Sequence, residues 1–239
     1  MSKLRSYLIT APLIFLATAF YGLVGLMVSL FDNTGDRQML VARAWSRALL
    51  WISGVTVKID GLENISPSGS YVLVSNHLSY MDTPVILANV PVQFRFLAKE
   101  GLFRIPLLGT HLARAGHIPV PLEDPRAAVR VMTKAAQVIK DRGISLLIFP
   151  EGGRAPDGVL QPFKEGAAYI AVKAGAPLVP LTLIGTHEVL PFGSGHMRGG
   201  NVILRIGAPV PTNNCKLQDR DRLTETLHQR IAESLETYA

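Results

Sequence analysis

Tyr71-Val72-Leu73-Val74-Ser75-Asn76-His77-Leu78-Ser79-Tyr80-Met81-Asp82 changes character halfway along. Its first five residues form an apolar, β-branched run short enough to be one buried strand, and the remainder is a polar loop carrying a histidine and an aspartate. Ile144-Ser145-Leu146-Leu147-Ile148-Phe149-Pro150-Glu151-Gly152-Gly153-Arg154 has the same design, a buried strand followed by a short charged loop. If the two strands are parallel in one sheet, both loops emerge at the same edge, where open α/β sheets bind ligands.

Working outward, Val55-Thr56-Val57-Lys58-Ile59 alternates as a strand, and Ser66-Pro67-Ser68-Gly69 is a turn. Phe94 to Leu97 and Ile118 to Val120 are short strands, the second demoted to an edge by its prolines. Asp124 caps a helix with Pro125 at its first position, and Arg142-Gly143 ends it. Glu165 to Ala174 is a helix closed by Gly175, followed by strands over Leu178 to Ile184 and Val202 to Ile206. Leu223, Leu227, Ile231 and Leu235 recur every four residues on a C-terminal amphipathic helix. The alternation predicts an α/β fold with a mixed, largely parallel sheet flanked by helices.

Ahead of this lies an N-terminal hydrophobic, membrane-associated helix segment. Tyr7 to Phe31 holds no charged residue over 25 positions, enough to cross a hydrocarbon core of about 30 Å. A cleaved signal peptide, with Lys3 and Arg5 as its basic region and Ala17-Thr18-Ala19 as its cut, competes with an anchor, but the apolar run continues well past that cut. Basic residues flank both ends, so spanning the bilayer and dipping into one leaflet stay open. In Arg37 to Ile52, Val41, Trp45, Leu49 and Ile52 share helical spacing while Arg43 and Arg47 lie on another side. This is either an interfacial helix, with Trp45, Trp51 and the arginines at headgroup depth, or a helix covering the core. The expected division is a membrane-anchoring region over 1–52 and a catalytic domain over 53–239.

Charged residues are 18% of the chain and the net charge is +6, with a mean hydropathy of +0.27. A basic, apolar chain favours an anionic lipid or phosphate partner. Nucleic acid is disfavoured, because no long Lys/Arg run occurs and aromatics are sparse. One cysteine, Cys215, excludes an internal disulfide and a cysteine-based zinc site.

His77 and Asp82 have the chemistry of a general-base dyad, in which a carboxylate fixes the imidazole tautomer and stabilises its protonated form. Positions five apart on a straight helix are about 140° apart, so the pair meets only if the segment starts as a turn. Asn76 and Ser79 suit that turn, and Thr83-Pro84 offers a helix start. In the second loop, Gly152 and Gly153 let a ligand approach backbone N–H groups, and Arg154 supplies a planar fork for phosphate. There is no Gly-Lys-Ser/Thr phosphate loop, no Gly-x-Ser-x-Gly elbow and no cysteine in either loop. Direct attack is therefore favoured over a covalent acyl-enzyme.

Asn-His-x-Ser-x-x-Asp at 76–82, Phe-Pro-Glu-Gly-x-Arg at 149–154, Phe163-Lys164-x-Gly166-Ala167 and Val179-Pro180 together resemble the glycerolipid acyltransferases, in the 1-acyl-sn-glycerol-3-phosphate acyltransferase branch. The resemblance runs from about Trp45 to Pro209. It implies acyl transfer from acyl-CoA or acyl-carrier protein to lysophosphatidic acid, giving phosphatidic acid, at the cytoplasmic face of the inner (plasma) membrane, with no metal and no bound cofactor. It also implies that His77 is the base and Asp82 its orienting partner. Asn76, Ser79, Lys99, Glu151, Gly152, Gly153, Arg154 and Pro180 are then the substrate-binding set, Lys99 and Arg154 as phosphate ligands.

Gly153 and Ala155 stand where this family usually has Thr and Ser, and Leu122 stands where it commonly has Arg. Those departures admit another lysolipid acceptor, such as a lysophospholipid or a lyso-ornithine lipid. A non-catalytic lipid-binding protein is the reading from outside the enzyme class.

Overall fold

The computed structural model describes residues 3–121, 124–154 and 157–237; Leu122 and Ala155 lie outside them. A seven-stranded sheet is built from β1 (Val55–Asp60), β2 (Val72–Ser75), β3 (Phe94–Lys99), β4 (Ile118–Val120), β5 (Ser145–Ile148), β6 (Leu178–Ile184) and β7 (Gly200–Ile206), in the order β1-β7-β6-β2-β5-β3-β4. Every neighbouring pair is parallel except β6 and β7. β2 and β5 are fully buried, which is why they read as uninterrupted apolar runs rather than alternating ones. Ile118-Pro119-Val120 lies at the edge, where a proline leaves no interior ladder bond unmade.

Helices cover both faces. The helices are α1 (Lys3–Ser29), α2 (Asp36–Ser53), α3 (Asp82–Asn89), α4 (Leu108–Arg114), α5 (Pro125–Arg142), α6 (Gly166–Ala174), α7 (Thr186–Val189) and α8 (Arg220–Glu236). Leu73, Leu147, Val179 and Leu181 meet Val85 and Ile86 of α3 and Met39 and Leu50 of α2 on one face. Val72, Val74, Leu146 and Leu178 meet α5, α6 and the Leu223–Leu227 side of α8 on the other. Asp124 caps α5 by accepting from Ala127 N at 3.0 Å, and Gly143 and Gly175 end α5 and α6 in left-handed conformation.

α1 is long and apolar enough to cross a membrane, and almost none of its apolar window is buried. A turn organised by Asp32, which accepts from the backbone N–H groups of Thr34, Gly35, Arg37 and Gln38, joins it to α2. The fully buried Arg95 of β3 fastens that turn to the sheet, donating to Thr34 O at 2.9 Å and to Asp36 Oδ1 at 2.6 Å.

Of the two readings of α2, Arg43 fits the helix that covers the core: it turns inward and donates to the carbonyls of Val90 and Val92, at 2.8 and 2.7 Å, beyond the end of α3. Trp45 donates from its indole to Thr18 of α1, and Trp51 alone of the two tryptophans is broadly exposed. The cause is competition for donors: the carbonyls of the segment that follows α3 need partners, and the half-buried guanidinium supplies two.

Candidate active site

The first loop leaves β2 and is closed by hydrogen bonds to its own backbone and to distant strands. Asp82, fully buried at the start of α3, accepts with one oxygen, Oδ2, from Leu78 N at 2.7 Å and Ser79 N at 2.8 Å, and the same oxygen lies 2.8 Å from His77 Nδ1. Two backbone donors curl the chain into the turn that lets residues five apart meet. A carboxylate holding two N–H groups is a fixed acceptor, so His77 carries its proton on Nδ1 and leaves Nε2 as the free base. The imidazole lies flat on the Phe149 ring, with centroids 3.9 Å apart and planes 16° apart.

Asn76 and Ser79 are both buried and bonded to the chain itself. Asn76 donates to Leu183 O at 2.9 Å and accepts from Leu183 N at 2.8 Å, spending its amide on β6. Ser79 Oγ donates to Leu190 O at 2.8 Å and accepts from Met81 N at 3.1 Å. The side-chain hydrogen bonds of both are thus made to the protein itself.

The second loop leaves β5, the neighbour of β2. Glu151 ties the two loops together: Oε1 accepts from His77 N at 2.6 Å and Oε2 from Gln161 N at 3.0 Å. Burial raises its pKa to about 7, against the pull of the N–H groups of Gln161 and His77. Gly152 has φ +80°, and a Cβ there would come within 2.7 Å of Lys164 Nζ. Gly153 faces open space. Arg154 donates from Nε to Ser79 O at 3.2 Å, and its guanidinium carbon sits 4.2 Å above the Tyr80 ring and 5.9 Å from the Phe192 ring. Burial lowers its pKa, and the nearby Asp82 charge acts in the opposite sense.

His77, Asp82, Glu151, Gly152 and Arg154 thus meet at one carboxyl edge. Lys99, exposed at the end of β3, shares that edge on the far side of β5. Pro180 does not join them. It is in register with Val74, three residues before His77, and lines a cavity of about 300 Å³ with Thr182, Arg205 and Ser234 beneath α8. Its place in mid-strand, on the face that α8 covers, is set by the two-residue alternation of β6.

Tyr80 and Phe192, the two rings around Arg154, escaped the sequence reading. Tyr80 carries a weak signal as an aromatic inside the histidine loop, but Phe192 is more than a hundred residues away and only the fold brings it there. His117 accepts from Phe96 N at 3.1 Å; burial first, and the Arg95 charge second, hold its pKa down to about 3. Cys215 is a half-buried free thiol.

A family model described as Acyltransferase matches residues 56–184. A chloroplastic 1-acyl-sn-glycerol-3-phosphate acyltransferase of Brassica napus is 36% identical over 87% of this chain and 59% of its own length, so the chain spans under two thirds of that relative. A 1-acyl-sn-glycerol-3-phosphate acyltransferase of Borreliella burgdorferi is 29% identical over 83% of this chain and 79% of its own. The crystal structure of the 1-acyl-sn-glycerophosphate acyltransferase PlsC from Thermotoga maritima superposes with a TM-score of 0.82 at 28% identity, covering 100% of this chain and 98% of that one.

Proposed function

Because the chain belongs to the acyltransferase family, we propose that it transfers a fatty acyl group from an acyl thioester, carried by CoA or by acyl-carrier protein, to the sn-2 hydroxyl of 1-acyl-sn-glycerol 3-phosphate. The products are phosphatidic acid and the free thiol. The reaction takes place at a membrane, on the cytoplasmic face of the inner membrane.

The observation that carries this reading is the 2.8 Å contact between His77 Nδ1 and the buried Asp82. With Nδ1–H donated to Asp82, Nε2 takes the proton of the acceptor hydroxyl as its oxygen attacks the thioester carbonyl. The imidazolium formed is stabilised by the Asp82 charge. Collapse of the tetrahedral intermediate breaks the C–S bond, and the departing thiolate takes the proton back from His77. Ser75 and Ser79, the hydroxyls nearest His77 in sequence, already donate to Asn76 O and Leu190 O, which supports direct transfer without an acyl-enzyme. Arg154 and Lys99 are the cations at this edge for the acceptor's phosphate monoester.

Purified full-length protein is to be offered lysophosphatidic acid and a panel of other lysolipids, including lyso-ornithine lipid, with each donor. Phosphatidic acid formed fastest from lysophosphatidic acid, and lost in His77→Ala, is the expected result. Preference for a phosphate-free acceptor contradicts the substrate, and turnover unchanged in His77→Ala contradicts the mechanism.

A further inference from the structure

We propose that the segment from the end of β3 to the first residue of α4, residues 100–108, is a second membrane contact, an apolar lip that enters the lipid surface beside the acceptor's entrance. The proposal rests on the reading that the chain works on a lipid at a bilayer, and it adds an element that the apolar N-terminal helix does not contain.

Leu102, Ile105, Leu107 and Leu108 are 40%, 46%, 69% and 41% exposed, four large aliphatic side chains within seven positions. A soluble surface scatters such residues singly, and a contiguous group marks a contact with something apolar. Leu107 adds a conformational cost. It has φ +65° and ψ −53°, the one positive φ outside glycine among the described residues. Hydrogen bonds from Gly109 N to Ile105 O at 2.7 Å and from His111 N to Leu107 O at 2.9 Å hold the turn. Glycine would fit this backbone without strain, so leucine here carries a penalty that an aqueous surface does not offset and burial in lipid does.

The occupant follows from continuity and charge. α4 packs on α1, where a Cβ on Gly25 would come within 2.7 Å of His111, and Arg114 donates to Ser29 Oγ at 3.1 Å. The lip therefore adjoins the end of α1 that exposes Phe20, Leu23 and Met27, and the exposed Leu30 that follows it. Lys99, exposed next to the lip, suits the anionic headgroup layer, and Arg104, exposed within the lip, is paired with Glu100 at 3.3 Å. Lys99 also ends β3 on the edge where the His77 loop emerges, so a lipid lifted by the lip enters beside the base.

The test places a single environment-sensitive fluorophore on full-length protein in a Cys215→Ser background, through Leu107→Cys or Ile105→Cys. Phe20→Cys reports on α1, and Glu225→Cys, exposed on α8, is the aqueous reference. With vesicles of phosphatidylcholine and phosphatidylglycerol, blue shift and quenching by brominated lipid at 105 and 107, but not at 225, are expected. Unshifted probes at 105 and 107 overturn the lip; a shifted or an unshifted probe at 20 then tells whether membrane binding itself survives. Leu107→Gly gives a second readout. It should raise the apparent KM about threefold to tenfold for vesicle-borne acceptor and leave a short-chain, monomeric acceptor unchanged, while an equal rise on both would mean a merely structural role.

Discussion

The loops after β2 and β5 lie one strand apart and are finished in opposite ways. In the first, Asp82 Oδ2 gathers two backbone N–H groups and the His77 ring, Asn76 is spent on Leu183, and Ser79 is spent on Leu190 and Met81. In the second, Gly153 faces open space, and Arg154 rests on the Tyr80 ring, its one hydrogen bond to the described residues made through Nε. A base must be aimed before substrate arrives, because reorganisation at the moment of reaction raises the barrier. A phosphate grip, the role we propose for Arg154, must keep donors unspent until the ligand supplies the acceptors. Glu151 joins the two, bonding the backbone of one loop and holding the exit of the other.

Breaking the closed loop at its reacting atom has the largest effect. His77→Ala should lower kcat by about 10²–10⁴-fold, the usual worth of a positioned base, with the fold intact by circular dichroism; a fall below tenfold would assign the proton transfer elsewhere. Breaking the open loop acts on binding. Arg154→Ala removes a charged hydrogen-bond partner worth about 1.5–3 kcal/mol, a rise in acceptor KM of roughly tenfold to a hundredfold. An equal rise for an acceptor without phosphate would contradict that role.

Asn76→Ala leaves the N–H and C=O of Leu183 buried without their partners, a cost of about 1–3 kcal/mol readable in a urea midpoint. An unchanged midpoint would show that the amide does not hold the loop on β6. The junction is sensitive to pH. Glu151 has its pKa raised from 4.5 to about 7, so between those values the folded protein keeps a proton that the unfolded chain has lost. Its contribution to stability therefore declines as pH rises through that window and is constant above it. Relative to Glu151→Gln, the wild type should lose thermal stability from about pH 4.5 to 7, and parallel curves would contradict the shift. The smallest effect is expected at Gly153→Thr: with open space around the position, stability should stay within about 0.5 kcal/mol, and a large loss would show the open loop to be more tightly packed than described.

How much of this was legible in the chain follows the same division. Strands buried on both faces are apolar throughout, so β2, β5 and β6 stood out, and Pro119, with Pro121 just after the strand, flagged β4 as an edge. His77 and Asp82 were visible as a pair, but their contact depended on a turn made by Leu78 and Ser79 N–H groups, which side-chain spacing does not encode. That Asn76 and Ser79 bond to Leu183 and Leu190 was not legible, because those partners are about a hundred residues away. Phe192 was invisible for that reason, and periodicity alone could not decide between a headgroup and a core-covering place for Arg43, because it does not show the carbonyls of Val90 and Val92.

The contrast between a closed base and an open grip is tested most directly by steady-state rates of His77→Ala and Arg154→Ala, measured side by side over a range of lysophosphatidic acid concentrations. The account predicts that Arg154→Ala approaches the wild-type rate at saturating acceptor, whereas His77→Ala stays at its floor at every concentration. A His77→Ala enzyme rescued by more acceptor, or an Arg154→Ala enzyme that saturation cannot rescue, would contradict it.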